Sequence, residues 1–403
     1  MHILHISSDF SNTAVHANLY KELDKLGVEQ TVFNPIRVQS QNSIGRNEFE
    51  ADHTRFVYAP VVKPYHRYVY HIKRLTIFHE LQKKVDLKKV DLVHASTLFT
   101  DGGQAYKIFR KYHIPYVVAV RTTDISGFLD NLPNTYPAAR KILRNAEMLF
   151  FISKALMDKF ANHKVIKPLL PEIKDKMLLV PNGIDEYFLN HISNEPISGH
   201  KVLYVGNFSA NKNVKRLGEA IIRLREDNAL SDVSLTLVGG GQDAGDEVKK
   251  MIESNHDVFN FVGPIYDKER ICEVFRSHSV FAMPSITETF GLVYLEALSQ
   301  NLPVVYTKGQ GIDGLFDESV GVGVNPLSVD DIAKAVKTII ENREHYSNTT
   351  IDFEKFRWKH VAEVYLSFYN ELMKNDKNTM NLLKLIKKWG GSGTLFTGLN
   401  IIT

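Results

Sequence analysis

The sequence predicts an α/β protein made of two consecutive doubly wound, Rossmann-like domains, and three observations carry that expectation. Short apolar runs alternate with amphipathic helical stretches from end to end, the rhythm of βαβ units and parallel sheets. That rhythm restarts after Pro181-Asn182-Gly183-Ile184-Asp185, where a proline and an Asn-Gly pair mark a turn. A length of 403 residues also exceeds what one ordinary core fills and fits two domains.

The elements follow in chain order. Strands are expected at His2–Ser7, Gln30–Asn34, Asp91–Ala95, Pro115–Val120, Met148–Ile152 and Met177–Val180, each a run of apolar residues bounded by polar ones. Between them, Val15–Leu26 and Gln104–Tyr112 have helical spacing. The polar segment 185–199 is expected as a linker between a first domain, 1–184, and a second, 200–355. The second domain has strand candidates at Lys201–Val205, Ser234–Val238, Val258–Val262, Ser279–Met283, Pro303–Tyr306 and Gly321–Val324. Residues 356–375 hold a late helix, its apolar period running from Val361 to Leu372. In 376–403, Leu382, Leu383, Ile386 and Trp389 share one helical face opposite Lys384, Lys387 and Lys388. Packing on the protein itself or lying on a membrane surface would each suit that pattern. Ligands of doubly wound sheets sit beyond the carboxyl ends of the strands, so a cleft between the two domains is the expected site.

Composition narrows the class. Apolar residues make up 44% and charged residues 24%, ordinary for a globular protein. The single cysteine, Cys272, excludes an intrachain disulfide framework and fits a reducing, cytoplasmic setting. The opening MHILHISSDF reads as a strand rather than a signal peptide, and no window has the apolar length of a membrane span. The net charge of +3 hides an asymmetry: residues 1–180 carry about +9 and the remainder about −6. Either a solvated basic face or an anionic partner accounts for it, such as a phosphorylated lipid, an acidic glycan or a membrane surface. No nucleic-acid module is recognisable, so nucleic acid is not expected as a partner.

The sharpest constellation is Ser285-Ile-Thr-Glu288-Thr-Phe290-Gly291-Leu292-Val-Tyr-Leu-Glu296, after a strand and opening an apolar-periodic helix. A helix start presents free N–H groups and a positive dipole end, which suits a diphosphate. Gly291 lets a ligand approach the backbone, and the two carboxylates accept hydrogen-bond pairs from vicinal hydroxyls. A helix that merely begins and continues with glutamates would show the same spacing.

Glu288-x7-Glu296 with Phe290-Gly291 between them resembles the signature of retaining glycosyltransferases of family 4, the glycosyl transferases group 1. The resemblance extends to Pro181–Asp185, similar to the family's interdomain motif. It extends also to Val205-Gly206-Asn207-Phe208 through Lys212, Val238-Gly239-Gly240-Gly241, and Arg357-Trp358 through Leu372. It implies a GT-B fold, with two Rossmann-like domains facing each other across a cleft, the first binding the acceptor and the second a nucleotide-sugar. It implies that Glu288 contacts the transferred sugar, Glu296 the ribose, and Lys212 the diphosphate of a UDP- or GDP-sugar. Asn207, Gly239 and the Phe290, Gly291 and Leu292 backbone complete the donor side. Ser11, Asn12, Arg121 and Asp124 stand at the acceptor side. The implied activity is metal-independent hexosyl transfer with retention to a glycan or lipid-linked hydroxyl, in surface polysaccharide or glycolipid synthesis. No further cofactor is implied.

Three positions depart from the family pattern. Asn207 stands where arginine is usual, Arg121 where histidine is usual, and Ser11-Asn12-Thr13-Ala14 where the first loop is often Gly-Gly. Lys215 or Arg216 is a candidate for the missing charge. Other classes fit less well. Gly239-x-Gly241-x-x-Ala244 matches a dinucleotide fingerprint, but the next strand ends Asn260-Phe-Val-Gly263 without the acidic residue a dehydrogenase needs. A 2-epimerase of related fold would need no acceptor, and a non-catalytic binder would not need the glutamate pair. With neither HExxH nor Asp-x-Asp in the chain, no metal site is expected.

Overall fold

The computed structural model describes residues 1–67, 69–195, 198–227, 229–240 and 246–374. The expected tail helix at 380–389, Gly241 and Ala244 lie outside them. The chain forms two units: one from 1–152, 156–182 and 358 onward, the other from 153–155 and 183–357.

In the first unit β1 (His2–Ile6), α1 (Ala14–Lys25), β2 (Glu29–Arg37), β3 (Thr54–Val62), α2 (Tyr70–Lys84), β4 (Leu92–Ala95) and α3 (Thr100–Tyr112) follow in order. They continue as β5 (Tyr116–Ala119), α4 (Tyr136–Asn145), β6 (Leu149–Phe151), α5 (Lys154–Asn162), α6 (Leu170–Ile173) and β7 (Met177–Leu179). The seven strands are parallel in the order β3-β2-β1-β4-β5-β6-β7. β3 went unread in the sequence. It is an edge strand whose burial alternates only weakly, and it contains Pro60, which an edge tolerates because no ladder partner needs its missing N–H.

The second unit runs through α7 (Glu186–Asn190), β8 (Lys201–Asn207), α8 (Val214–Glu226), β9 (Ser234–Gly240), α9 (Asp246–Ser254), β10 (Phe259–Gly263) and α10 (Lys268–Arg276). It ends with β11 (Val280–Ala282), α11 (Leu292–Ser299), β12 (Val304–Thr307), β13 (Gly321–Val324) and α12 (Val329–Glu341). Its six parallel strands lie in the order β10-β9-β8-β11-β12-β13. Segment 185–199, expected as a linker, belongs to this unit and opens with α7, because Asp185 caps that helix through the Tyr187 amide at 2.9 Å.

The last helix, α13 (Trp358–Leu372), belongs to the first unit. Trp358, Val361, Tyr365, Phe368 and Tyr369 recur at helical spacing and bury against Tyr20 and Leu23 of α1 and Val117 and Phe150 of the sheet. Among the described residues no helix is long and apolar enough to cross a membrane.

Candidate active site

In the second sheet β8 is flanked by β9 on one side and β11 on the other, so the order in which strands are added reverses between β8 and β11 while all run parallel. Loops leaving two parallel neighbours at such a switch point diverge and leave room for a ligand. The loop after β8 carries Lys212, and the loop after β11 carries Glu288.

These two side chains meet. The Lys212 ammonium lies 2.7 Å from the Glu288 carboxylate, with side-chain exposures of only 22% and 11%. Lys212 ends a 3₁₀ turn, Ala210–Lys212. Asn213 follows in the left-handed region at φ 60°, and α8 begins only after it. Polar side chains tie the two loops together. Asn211 donates to the Thr287 carbonyl at 2.8 Å and accepts from the Thr287 amide at 3.0 Å. Buried Asn213 donates to the Pro284 carbonyl at 2.9 Å and the Pro326 carbonyl at 2.6 Å. Glu288 is further held by its own neighbours: its carboxylate accepts from the Thr289 amide at 3.1 Å, and its backbone N–H donates to Gln310 at 3.3 Å. Its carbonyl accepts from the Gly311 amide at 3.0 Å.

Gly291 ends this loop at φ 78°, and no side chain caps α11 after it. A Cβ at Gly291 would fall 2.5 Å from the Tyr294 ring, so any other residue would move the helix start or the ring. Phe290 is buried, while Gly291 and Leu292 are half-buried. Glu296 lies in the second turn of α11; its backbone carbonyl accepts from the Ser299 hydroxyl at 2.7 Å, and its carboxylate has no hydrogen-bond partner among the described residues. Burial, then the nearby Asp185 charge, push its carboxyl up to about 7, while Lys268, paired with Asp185, pulls the other way. No contact joins Glu296 to Lys212 or Glu288.

Around this centre Asn207 is exposed, its carbonyl accepting from the buried Tyr204 hydroxyl at 2.5 Å. Gly239 pairs in register with Gly206, and a Cβ there would lie 2.0 Å from the Gly206 carbonyl oxygen. Of the two candidates for the charge missing at Asn207, exposed Lys215 pairs with Glu247 at 2.5 Å, and Arg216 donates to Asn213 at 3.0 Å. An open depression of about 820 Å³, lined by Tyr306, Lys308, His345 and Tyr346 among others, shares no residue with this constellation. Among the described residues no three His, Cys, Asp or Glu gather as they would around a metal ion.

The first sheet has its own switch point between β1 and β4, and the acceptor-side candidates cluster near it. Ser11 is buried and donates to Asn34 at 2.6 Å, whereas Asn12 is exposed. Asp124 is buried, and its two oxygens accept from the Leu98, Phe99 and Arg121 amides at 2.9–3.2 Å. Both carboxylate oxygens are thus spent on backbone, which makes Asp124 a brace between the loops after β4 and β5. Burial raises its pKa to about 6 despite these bonds. Half-buried Arg121 donates to the Ser96 carbonyl at 3.2 Å. Sequence reading missed Asp101, fully buried at the start of α3. It accepts from the Ser8 and Thr97 hydroxyls at 3.2 and 3.0 Å, and burial together with the Asp9 charge lifts it to about 7.

Asn211, Asn213, Gln310 and Gly311 were missed as well. The asparagines flanking Lys212 and the glycines around Gln310 were the available signals, since short polar side chains and positive-φ residues brace tight loops. Chemically, a lysine beside an uncapped helix start suits a diphosphate, and the adjoining carboxylate can accept from sugar hydroxyls.

Comparison with known proteins identifies the family and the fold. Residues 14–187 match the family model Glycosyltransferase Family 4, and residues 199–342 match Glycosyl transferases group 1. The alpha-monoglucosyldiacylglycerol synthase of Acholeplasma laidlawii is 24% identical over 91% of this chain and 94% of its own. A Bacillus subtilis glycosyltransferase provisionally assigned to teichuronic acid biosynthesis is 22% identical over 80% of this chain and 83% of its own. The Anabaena protein HepE, solved in complex with UDP, superposes with a TM-score of 0.63 at 16% identity, covering 92% of this chain and 100% of HepE.

Proposed function

Given a chain that belongs to glycosyltransferase family 4, with the two parallel-sheet α/β domains of the GT-B fold, we propose that it transfers a hexosyl group from a UDP- or GDP-sugar to an acceptor hydroxyl with retention of configuration. The observation that carries this reading is the Lys212–Glu288 pair at the β8/β11 switch point, beside an uncapped helix start.

In this reading the donor diphosphate takes Lys212 and the Phe290, Gly291 and Leu292 backbone. Glu288, released from the lysine, accepts from hydroxyls of the transferred sugar, and Glu296 accepts from the ribose. Asn207 and Gly239 border the diphosphate. As the glycosidic bond breaks, negative charge grows on the leaving phosphate, and Lys212 stabilises that charge more than the ground state. The acceptor hydroxyl attacks from the face the nucleotide leaves, and the departing phosphate oxygen takes its proton. No metal and no side-chain nucleophile take part. HepE, a neighbour of the same fold, was solved with UDP, which supports a uridine donor.

On the first unit Asn12 and Arg121 meet the acceptor, with Ser11 and Asp124 bracing their loops. A guanidinium there favours an anionic acceptor, such as a phosphate-bearing lipid carrier or an acidic glycan. A relative named for teichuronic acid biosynthesis supports an acidic acceptor, and one named for monoglucosyldiacylglycerol synthesis supports a lipid acceptor without supporting the charge.

The test is a binding and hydrolysis screen of the full chain against a panel of UDP- and GDP-sugars, run beside Glu288→Ala. One donor should bind and turn over, and the variant should retain nucleotide binding while losing turnover. Binding of no panel member, or unchanged turnover in the variant, refutes the reading.

A further inference from the structure

The positive charge of the first unit is concentrated rather than spread. Residues 63–89 hold eight Lys and Arg against Glu80 and Asp86, a net +6 of the roughly +9 carried by residues 1–180. The same segment exposes apolar side chains. Four of the eight large apolar residues that the described part of the first unit exposes lie within 65–75: Tyr65 at 50%, Val69 at 36%, Ile72 at 49% and Leu75 at 62%.

Helical geometry puts two of these, Ile72 and Leu75, on one face of α2. Tyr70, Ile77 and Leu81 of α2 are buried. Ile72 and Leu75 lie on the opposite side, about 4.5 Å apart along the axis, and exposed Val69 precedes them as the non-helical residue that caps the helix start. Exposed cations border this stripe: Lys63 before the helix, Lys83 and Lys84 in its last turn, and Lys88 and Lys89 just beyond. The only acid on α2, Glu80, is already paired with Lys83 at 3.1 Å.

From this we infer that the outward face of α2 is a docking surface for an anionic lipid bilayer. Val69, Ile72 and Leu75 enter the boundary between headgroups and acyl chains, and the surrounding lysines meet lipid phosphates. A second copy of the chain is a poor occupant, because two such segments, each of net +6, repel. Nucleic acid is poor as well, because the centre of the face is apolar and its cations lie at the ends. The inference deepens the lipid-linked acceptor reading above and rests on it, yet vesicle binding is measured without any sugar transfer, so the two fail separately.

The experiment is co-sedimentation of the full chain with pure phosphatidylcholine vesicles and with vesicles containing one third phosphatidylglycerol. Wild type is compared with Ile72→Ser/Leu75→Ser and with Lys63→Glu/Lys88→Glu. All changed residues are exposed or border the face, so both variants should keep the wild-type circular dichroism and thermal midpoint. Wild type should bind the anionic vesicles alone. The apolar variant should lose at least about tenfold in partitioning, and the charge variant about fivefold or more per lysine. Unchanged binding by the apolar variant overturns the proposal and places the anchor elsewhere. Equal binding to uncharged vesicles, or no vesicle binding by wild type, overturns it too. So does a wild-type dimer that the apolar variant dissociates, since a second copy would then cover this face.

Discussion

The Lys212 ammonium and the Glu288 carboxylate, 76 residues apart in sequence, form a 2.7 Å ion pair at the carboxyl edge of the second sheet. In the proposed mechanism each must exchange this partner for a piece of the donor, the lysine for phosphate and the acid for sugar hydroxyls. The pair therefore competes with donor binding while keeping both groups positioned and neutralised until donor binds.

Glu288→Gln should then separate binding from chemistry. Without its carboxylate partner Lys212 is free for phosphate, and a negative charge near the diphosphate is gone. UDP or GDP alone should bind severalfold tighter by calorimetry, while transfer falls by roughly a hundredfold or more, the scale of losing one charge-stabilising contact. Weaker nucleotide binding in this variant would contradict the exchange of partners.

Glu296 should make donor affinity depend on pH. Its carboxyl is pushed up to about 7 by burial and by Asp185, so much of it is protonated in the free protein at neutral pH. The ionised form accepts both ribose hydroxyls, so nucleotide affinity should rise from about pH 6 to about pH 8, and Glu296→Gln should flatten that rise at an affinity roughly tenfold lower. Stability runs the other way. With a folded pKa above the unfolded value, this group's contribution is full below about pH 4.5 and is lost as pH rises through about 7. Thermal melts should therefore find Glu296→Gln gaining more over wild type at pH 8 than at pH 5.

Close backbone approach at the site should make its glycines intolerant of a methyl group. At Gly239 the clash is with a strand carbonyl at 2.0 Å, which cannot rotate away. At Gly291 a Cβ meets the Tyr294 ring at 2.5 Å and the Glu288 side chain at 3.2 Å, and φ is 78°. Alanine at either position should cost about 1–3 kcal/mol in urea unfolding, and Gly291→Ala should also slow transfer by displacing Glu288. Gly127, with open space around its missing Cβ, is the control, and its alanine variant should melt like wild type.

How far the sequence could be read depended on whether a feature was local. Strands such as Lys201–Asn207 and Ser234–Gly240 are continuous apolar runs because both faces of a parallel sheet are covered, and their period shows in a short window. β3 lies at an edge, has one strand neighbour and carries a proline, so its pattern is diluted. Glu288 and Lys212 were legible through a family motif, and their mutual contact was not, because it spans 76 residues. The family resemblance put Asp124 at the acceptor side. Only the fold reveals the three backbone amides that occupy it. Asp101 left no signal, since nothing in Thr100-Asp101-Gly102 tells a buried acid from a helix-start acid on the surface.

The first unit should be acid-labile in two stages. His5, His16 and His94 lie buried among aromatic rings: His5 sits 4.0 Å from the Tyr20 ring, and His94 bonds the Tyr369 hydroxyl at 2.7 Å. Burial holds His5 and His16 down to about 3 and His94 well below its ordinary value. A histidine with a depressed pKa contributes stability that is full above the unfolded value near 6.5 and lost as pH falls towards the folded value. Each therefore removes about 1.4 kcal/mol per pH unit. Asp101 and Asp124 act oppositely. Raised to about 7 and about 6, they hold protons in the folded state that the unfolded chain takes up only near pH 4. Between about pH 6 and pH 4.5 two of the three histidine terms are thus offset, leaving a slope near 1.4 kcal/mol per unit. Below about pH 4 the offset fades while His5 and His16 begin to take up protons near pH 3 in the folded state, so the slope should steepen to less than about twice that value. Asp101→Asn removes one offsetting group, so its slope in the upper window should roughly double. Urea unfolding followed by circular dichroism at closely spaced pH values measures both slopes, and a variant slope equal to that of wild type would show that Asp101 does not carry its proton into the folded state.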